Sequence, residues 1–192
     1  DNGDLQISFT PASYKEGVQS QLDDFPGATV APWVQRPESI GYIRAKSADP
    51  FEAPAIQPNY FSHETDRRLS IAGMKLARDL MQTPEFSPHV ECEELPGKDV
   101  HTEDEMLAYY RQNATTTFHL MGTCRMGPDS DPTAVVDDQL RVRGIEGLRV
   151  ADASIMPTMP SANTNASTIM IGEKCADFIK GRQLESMNLS GK

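Results

Sequence analysis

The chain has 192 residues, of which 38% are hydrophobic and 24% charged, a composition typical of a globular protein long enough to bury a core. Its formal net charge is −10, and no cluster of Lys or Arg interrupts it, which argues against nucleic acid and anionic membrane surfaces as partners. Three widely separated cysteines indicate neither a disulfide framework nor a metal site, and no apolar run is long enough to span a bilayer, so we expect a cytoplasmic protein without a bound metal.

The N-terminal segment predicts a sheet. Residues 5–9 alternate apolar and polar side chains, and residues 31–35 and 40–46 predict two further strands, so we expect all three in one mainly antiparallel sheet. The next stretch, PFEAPAIQPNYFS, carries three prolines and is expected to be extended and irregular. Because the chain enters its first strand at once, without an initiator Met, we also expect it to be a piece of a longer protein.

Two helices are predicted in the following segment. Thr102 followed by Glu105 is the pattern of a capping box, so a helix is expected to begin there. Before it, apolar residues recur at helical spacing until Pro84 ends the pattern, which predicts a helix packed on the sheet. The apolar stripe that should face the sheet consists of Leu69, Ala72, Leu76, Ala77, Leu80 and Met81.

The C-terminal segment predicts a strand, a turn, a second strand and a last helix. Gly144 and Gly147 bracket the turn, and apolar residues at helical spacing over residues 169–179 predict the helix, which Gly181 ends. We expect this helix to leave the N-terminal sheet and pack in a different domain. Residues 183–192 are expected to form a loosely ordered tail.

One histidine stands out from the other three. His119 lies in TTTFHLMGTCRMG among large apolar neighbours, whereas the others lie in polar, charged or proline-rich contexts. From the local sequence alone, a structural histidine held by a hydrogen bond is more common than a catalytic base. Cys124 and Arg125 follow closely, but no residue nearby completes a Cys–His nucleophile, so a small packed cysteine and a structural ion pair are favoured.

A second polar group lies where the last helix begins. Asn163, Thr164, Asn165 and Ser167 supply more capping side chains than one helix needs. They form either a redundant N-terminal cap or a binding site at a helix N-terminus, where free N–H groups favour negative charge. Upstream, the pair of residues 152 and 153 ends a predicted strand and forms either a turn or a support for a polar ligand.

Three stretches together resemble a known family. They are FHLMGTCRMG, the long stretch VVDDQLRVRGIEGLRVADASIMPTMPSANTNASTIMIGEKCADFI, and RPESIGYIRAKSADPFEAPAIQPNYFS upstream. In this order they resemble the C-terminal part of the glucose–methanol–choline (GMC) family of flavin oxidoreductases, in particular its branch of choline dehydrogenase-like enzymes and aryl- or hydroxymethyl-alcohol oxidases. The resemblance runs from Leu5 to about Gly181.

The resemblance implies an FAD-dependent enzyme that oxidises alcohols by hydride transfer to the flavin. In that case His119 is the general base on the substrate hydroxyl, and Asn163 hydrogen-bonds the substrate oxygen. Phe118 would line the pocket beside the flavin ring. The remaining positions that the resemblance places against the cofactor are Asp152 and Ala153, near the ribityl–phosphate region, and Thr164 and Asn165, near the pyrimidine ring.

The resemblance also implies an α+β fold in two parts. Residues 1–133 would form an antiparallel-sheet substrate-binding domain flanked by helices. Residues 134–182 would return to an FAD-binding α/β domain that is mostly absent from this chain. The G-x-G-x-x-G turn that such a domain needs does not occur in the sequence, so we expect a partner: an N-terminal FAD-binding polypeptide or the remainder of the same enzyme.

Three alternatives remain open at this point. A flavin-containing hydroxynitrile lyase of the same family uses a histidine base without net oxidation. A light-driven decarboxylase of the family is a further possibility. A binding module that has lost its catalytic site is the third, although such a module has no reason to retain both His119 and Asn163.

Overall fold

The computed structural model describes residues 3–15 and 21–181. The chain divides into two compact units, Asp1–Thr117 and Phe118–Lys192. Small antiparallel sheets and three α-helices make up these described ranges, in agreement with the α+β expectation. The functional boundary at residue 133 stays a prediction, and the predicted tail lies outside the described ranges. No helix in these ranges combines the length and apolar character needed to cross a membrane.

The first unit begins with the predicted antiparallel pair. Strand β1, Leu5–Thr10, pairs with β2, Thr29–Val34, so that Leu5 lies opposite Val34 and Thr10 opposite Thr29. Both strands are half-buried along most of their length, although Phe9, on the apolar face predicted for β1, is 51% exposed. The first two predicted strands are therefore confirmed within one or two residues.

The third predicted strand does not join this sheet. Strand β3, Tyr42–Arg44, pairs instead with β4, Ala55–Gln57, in a separate antiparallel sheet. The expectation of a single sheet is therefore wrong. Prolines flank β4 at positions 54 and 58 without interrupting its ladder, so the proline-rich stretch could supply a short strand.

Helix α1, Glu64–Met81, packs on the β1–β2 sheet through an unexpected face. Gly73 allows the close approach, because a Cβ placed there would lie 3.0 Å from the Cβ of Pro32 in β2. Helix α1 therefore packs on the sheet as expected. The face that makes the contact differs from the predicted stripe, because Leu76 of that stripe is 47% exposed. The buried residues of α1 are Asp66, Ser70, Ile71, Gly73 and Met74.

The buried carboxylate of Asp66 ties the start of α1 to the preceding loop. It is 3% exposed and accepts hydrogen bonds from the backbone N–H groups of Glu38 and Ser39, each at 2.8 Å. A buried acceptor that satisfies two backbone donors contributes more to stability than an ordinary surface contact. Asp66 therefore fixes the connection between β2 and β3 against the first turn of α1.

Helix α2, Glu103–Asn113, has the predicted capping box. Thr102 accepts the N–H of Glu105, and Glu105 accepts the N–H of Thr102 at 2.8 Å. Met106, 3% exposed, packs with Ile71 and Met74 of α1 to form the core of the first unit. The local capping pattern thus predicted the start of α2 correctly.

The second unit is built around helix α3, Asn165–Lys180, which ends at Gly181 in the left-handed conformation with φ 65°. The expected strand–turn–strand appears only as isolated bridges, Val136 to Val142 and Arg141 to Arg149, so two regular strands were wrongly predicted. The core of this unit consists of Val136, Leu140, Ile155, Met156, Ile171 and Cys175.

Replacing Asp66 by Ala should destabilise the protein by about 2–4 kcal/mol, because two backbone N–H groups lose their acceptor. The matched control is Asp79→Ala on the exposed side of the same helix, which should change stability by less than about 0.5 kcal/mol. Urea unfolding of both variants measures the difference. Equal stabilities for the two variants would contradict this role of Asp66.

The capping box should make stability depend on pH. The backbone N–H groups of Thr102 and His101 donate to the Glu105 carboxylate and hold its pKa below the ordinary 4.5. A carboxyl with a lowered folded pKa stabilises the fold above its unfolded pKa, and this contribution is lost as pH falls through the folded pKa. The stability advantage of the parent over Glu105→Gln should therefore shrink below pH 4.5.

Urea midpoints measured from neutral to acidic pH test this dependence. Asp104→Asn, in the same first turn and exposed, is the control and should show a smaller change with pH. An advantage over Glu105→Gln that stays constant across the range would argue against the ionised capping box.

Candidate active site

A short backbone ladder fixes the segment that follows His119. The N–H groups of Gly122, Cys124 and Met126 donate to three successive carbonyls of a 3₁₀ turn at Ala153–Ile155. Their lengths are 3.3, 2.9 and 2.7 Å in that order. Every second residue of this segment therefore takes part in the ladder. The ladder thereby joins the segment that follows His119 to the turn that follows Asp152.

The 153–155 turn is itself anchored at both ends. The Asp152 carboxylate accepts the N–H of Ser154 at 2.7 Å, while Ile155 and Met156 are 4% and 6% exposed in the core. The side chain of Asp152 thus forms a turn, one of the two alternatives that the sequence left open. The N–H groups of Asp152 and Ala153 make no hydrogen bond within residues 3–15 and 21–181.

His119 meets the entrance of α3 through one ring nitrogen. Its Nδ1 lies 3.1 Å from the hydroxyl oxygen of Thr164, a residue that is 7% exposed. The other ring nitrogen, Nε2, has no hydrogen-bond partner in the described part of the chain. The half-buried imidazole is therefore held by a hydrogen bond at Nδ1.

The polar residues at the entrance of α3 do not form a redundant cap. Thr164 occupies the N-cap position with helical backbone angles, and its side chain makes no capping hydrogen bond. The N–H groups of residues 165–167 also lack an acceptor among the described residues. The capping explanation is therefore wrong, and the first turn of α3 presents free donors of the kind that bind electronegative groups.

The remaining predicted site residues are sequence neighbours of Thr164 and His119, the two residues joined by the hydrogen bond. Asn163 is exposed and directly precedes Thr164, and Asn165 is the first residue of α3. Phe118 directly precedes His119, is 71% exposed and has a φ of 60°, which is uncommon for a residue other than glycine. Such backbone conformations are concentrated at functional sites.

Arg125, next to Cys124 in sequence, has a structural role. Arg125 forms an ion pair with Asp131 at 2.9 Å. The hydroxyl and backbone N–H of Thr133, together with this arginine, keep the pKa of Asp131 below its ordinary value. No hydrogen bond joins the partly buried Cys124 thiol to His119 in the described ranges, and the packed cysteine favoured from the sequence stays a prediction.

Thr164 is the residue whose position the sequence did not indicate. The resemblance assigned it to the cofactor, but its hydroxyl contacts His119, 45 residues away along the chain. Among the described residues, no group of three or more His, Cys, Asp or Glu side chains is arranged to hold a metal ion. The site is therefore built from one imidazole, a hydroxyl, amides and backbone donors.

Comparison with known proteins gives consistent matches. A family model described as GMC oxidoreductase matches residues 37–172. Human mitochondrial choline dehydrogenase is 43% identical over 181 residues, which are 93% of this chain and 30% of that protein. An alcohol dehydrogenase (acceptor) of Pseudomonas putida is 42% identical over 93% of this chain and 32% of its own length.

The fold is also similar to that of a solved oxidase. Pyridoxine 4-oxidase from Mesorbium loti superposes with a TM-score of 0.82 at 27% identity, covering 94% of this chain and 35% of that structure. This chain spans 30–32% of the length of the two curated relatives.

The ladder behind His119 requires a glycine at position 122. Gly122 has a φ of 84°, and a Cβ there would lie 3.4 Å from the carbonyl oxygen of Met156. Replacing Gly122 by Ala should cost about 1–2 kcal/mol of stability, because an L-residue is strained at this φ. Gly172 in α3 has open space around it, so Gly172→Ala should instead stabilise by about 0.4–1 kcal/mol. Thermal unfolding distinguishes these opposite signs, and a shift of the same sign in both variants would contradict the argument.

Proposed function

The chain belongs to the GMC oxidoreductase family, and on that premise we propose that it supplies the catalytic base of an FAD-dependent alcohol oxidoreductase. The observation that carries the proposal is the environment of His119, whose Nδ1 lies 3.1 Å from the Thr164 hydroxyl and whose Nε2 has no hydrogen-bond partner among residues 3–15 and 21–181. Relatives named choline dehydrogenase and alcohol dehydrogenase support a primary alcohol as the class of substrate. In this proposal, His119 of this chain carries out the acid–base chemistry.

His119 removes the proton of the substrate hydroxyl. A hydride leaves the carbinol carbon more readily as the attached oxygen gains alkoxide character, so removal of the proton and departure of the hydride assist each other. A neutral imidazole within hydrogen-bond reach of the hydroxyl accepts the proton, and general bases of this kind accelerate reactions by ~10²–10⁴. The half-buried position of His119 limits competition from water.

Asn163 orients the same substrate oxygen. Its amide donates hydrogen bonds but does not titrate, so it stabilises developing negative charge on the oxygen without competing for the proton. Its position next to Thr164, the partner of His119, supports a role at the same substrate atom. His119 thus removes the proton, and Asn163 orients and stabilises the oxygen that loses it.

The donors at the two turns fit a bound flavin nucleotide. FAD, when bound, supplies the acceptor for the hydride. The N–H groups of Thr164 and Asn165, where α3 begins, donate no hydrogen bond within the described ranges and suit the carbonyl oxygens of a pyrimidine ring. Those of Asp152 and Ala153 suit the ribityl–phosphate region. Phe118, which is exposed, would line the pocket beside the flavin ring.

The rest of the flavin site belongs to a separate part of the enzyme. The sequence lacks the G-x-G-x-x-G turn for a dinucleotide pyrophosphate, and the chain spans about 30% of the length of its curated relatives. We therefore infer that an N-terminal FAD-binding segment or polypeptide completes the site. Purified active enzyme should contain polypeptide mass beyond this chain, and stoichiometric FAD on this chain alone would contradict the inference.

Replacing His119 by Ala in the FAD-loaded enzyme should slow flavin reduction by ~10²–10⁴, the range of a general base, with FAD content unchanged. Anaerobic stopped-flow mixing with a saturating primary alcohol measures the rate. His89→Ala, an exposed histidine in another turn, is the control and should react like the parent. Parental rates for His119→Ala at every pH would place the base elsewhere.

Replacing Asn163 by Ala should slow flavin reduction by ~10–10³, because one hydrogen bond to a developing alkoxide is lost. The loss should persist at every pH, since the amide does not titrate. The stopped-flow series on both variants measures these rates.

The lyase alternative is tested on the parent enzyme. Cleavage of a cyanohydrin together with no flavin reduction by any alcohol would favour the lyase.

A further inference from the structure

We propose that Thr164 is a positioning residue that keeps the proton of neutral His119 on Nδ1, so that Nε2 presents its lone pair to the substrate. The inference rests on the proposed role of His119 as the base. It assigns Thr164 a function through the histidine, in addition to the cofactor contact that the resemblance implies. The observation behind it is the 3.1 Å contact between the Thr164 hydroxyl and Nδ1.

The position of Thr164 makes a purely capping role unsuitable. Threonine at an N-cap ordinarily accepts a backbone N–H of the first helical turn, but here the side chain makes no such bond. The residue is 7% exposed, so its hydroxyl needs a partner inside the protein, and Nδ1 of His119 is that partner. The helix therefore gives up a local cap in favour of a contact across 45 residues.

The backbone of Thr164 is held in place from the helix side. Its carbonyl oxygen accepts both the N–H of Thr168 at 2.9 Å and the Thr168 hydroxyl at 2.8 Å. With its carbonyl held by α3, the threonine presents its hydroxyl to the imidazole from a fixed point. On the opposite side, the 122–126 ladder holds the segment that carries His119.

Proton placement decides whether the histidine works as a base. A neutral imidazole carries one proton, and the nitrogen without it is the only one that accepts. When Thr164 Oγ accepts from Nδ1–H, the free nitrogen Nε2 is the acceptor for a substrate hydroxyl. In the other tautomer, Nε2 carries the proton and cannot remove one from the alcohol. A hydroxyl can also donate to Nδ1, so the proposal is specifically that Thr164 Oγ takes the accepting role and leaves Nε2 as the basic nitrogen, as second partners of functional histidines do.

The test compares variants of Thr164 in the FAD-loaded full-length enzyme. Thr164→Val keeps the shape and removes the hydroxyl, and it should slow flavin reduction about 10–100-fold at saturating alcohol. Thr164→Ser keeps the hydroxyl and should stay within about threefold of the parent. Thr83→Val, which removes a threonine hydroxyl that bonds the Leu80 carbonyl in the first unit and has no role in the site, should react like the parent. If Thr164→Val fails to bind FAD, Thr164→Ala replaces it.

A double-mutant cycle separates positioning from a structural effect. If Thr164 acts through the imidazole, adding Thr164→Val to His119→Ala should cause no further loss of rate, because there is no ring left to orient. A structural role would slow both backgrounds equally.

Each outcome bears on a defined claim. Parental rates for Thr164→Val beside a slow His119→Ala would overturn this inference and leave the proposed function standing. Equal slowing by Thr164→Val in both backgrounds, or a Thr164→Ser variant as slow as the Val variant, would also overturn it. Parental rates for His119→Ala would overturn the proposed function, and this inference with it.

Discussion

The site depends on one backbone constraint, the ladder between residues 122–126 and the 153–155 turn. Its three hydrogen bonds join two segments that lie about thirty residues apart in sequence and carry the two groups of predicted site residues. Backbone hydrogen bonds need no particular side chains, so the ladder leaves the side chains of both segments available for chemistry. The buried Ile155 and Met156 hold the turn in the core of the second unit and give the ladder a firm base.

The contact between His119 and Thr164 is the second link that this arrangement permits. It occurs at the first turn of α3, where the helix leaves its own N–H groups unbonded among the described residues. A helix start with a local side-chain cap would be more stable by itself. Here the entrance of α3 is arranged around the imidazole and open donors, which is the kind of local cost that binding and catalytic sites carry.

Large apolar side chains are exposed in the two segments that carry this contact. Phe118 and Leu120, which flank the histidine in sequence, are 71% and 63% exposed, and Ile169 and Met170 of α3 are 59% and 54% exposed. Isolated exposed apolar residues are ordinary, but a group of them beside a candidate site is typical of a surface that binds something. In the proposed enzyme, bound flavin and the remaining polypeptide would cover such surfaces.

Local sequence rules predicted the elements whose signals are local. The capping box at Thr102 and the glycine end of α3 were correct, because each depends on residues within one turn. The alternation of residues 5–9 was also sufficient to predict strand β1. The pairing of β3 with β4 and the buried face of α1 were missed, since both depend on which distant segment offers a matching ladder or, at Gly73, room for close approach.

For the site, the sequence by itself determined which residues are candidates and which family they resemble. Residue types in order along the chain are sufficient for both conclusions, and they identified His119 and Asn163 without coordinates. Only the tertiary structure decided that Thr164 contacts the histidine and does not cap its own helix. A threonine before a helix is locally a good cap, and only the position of a ring 45 residues away determines which partner its hydroxyl takes.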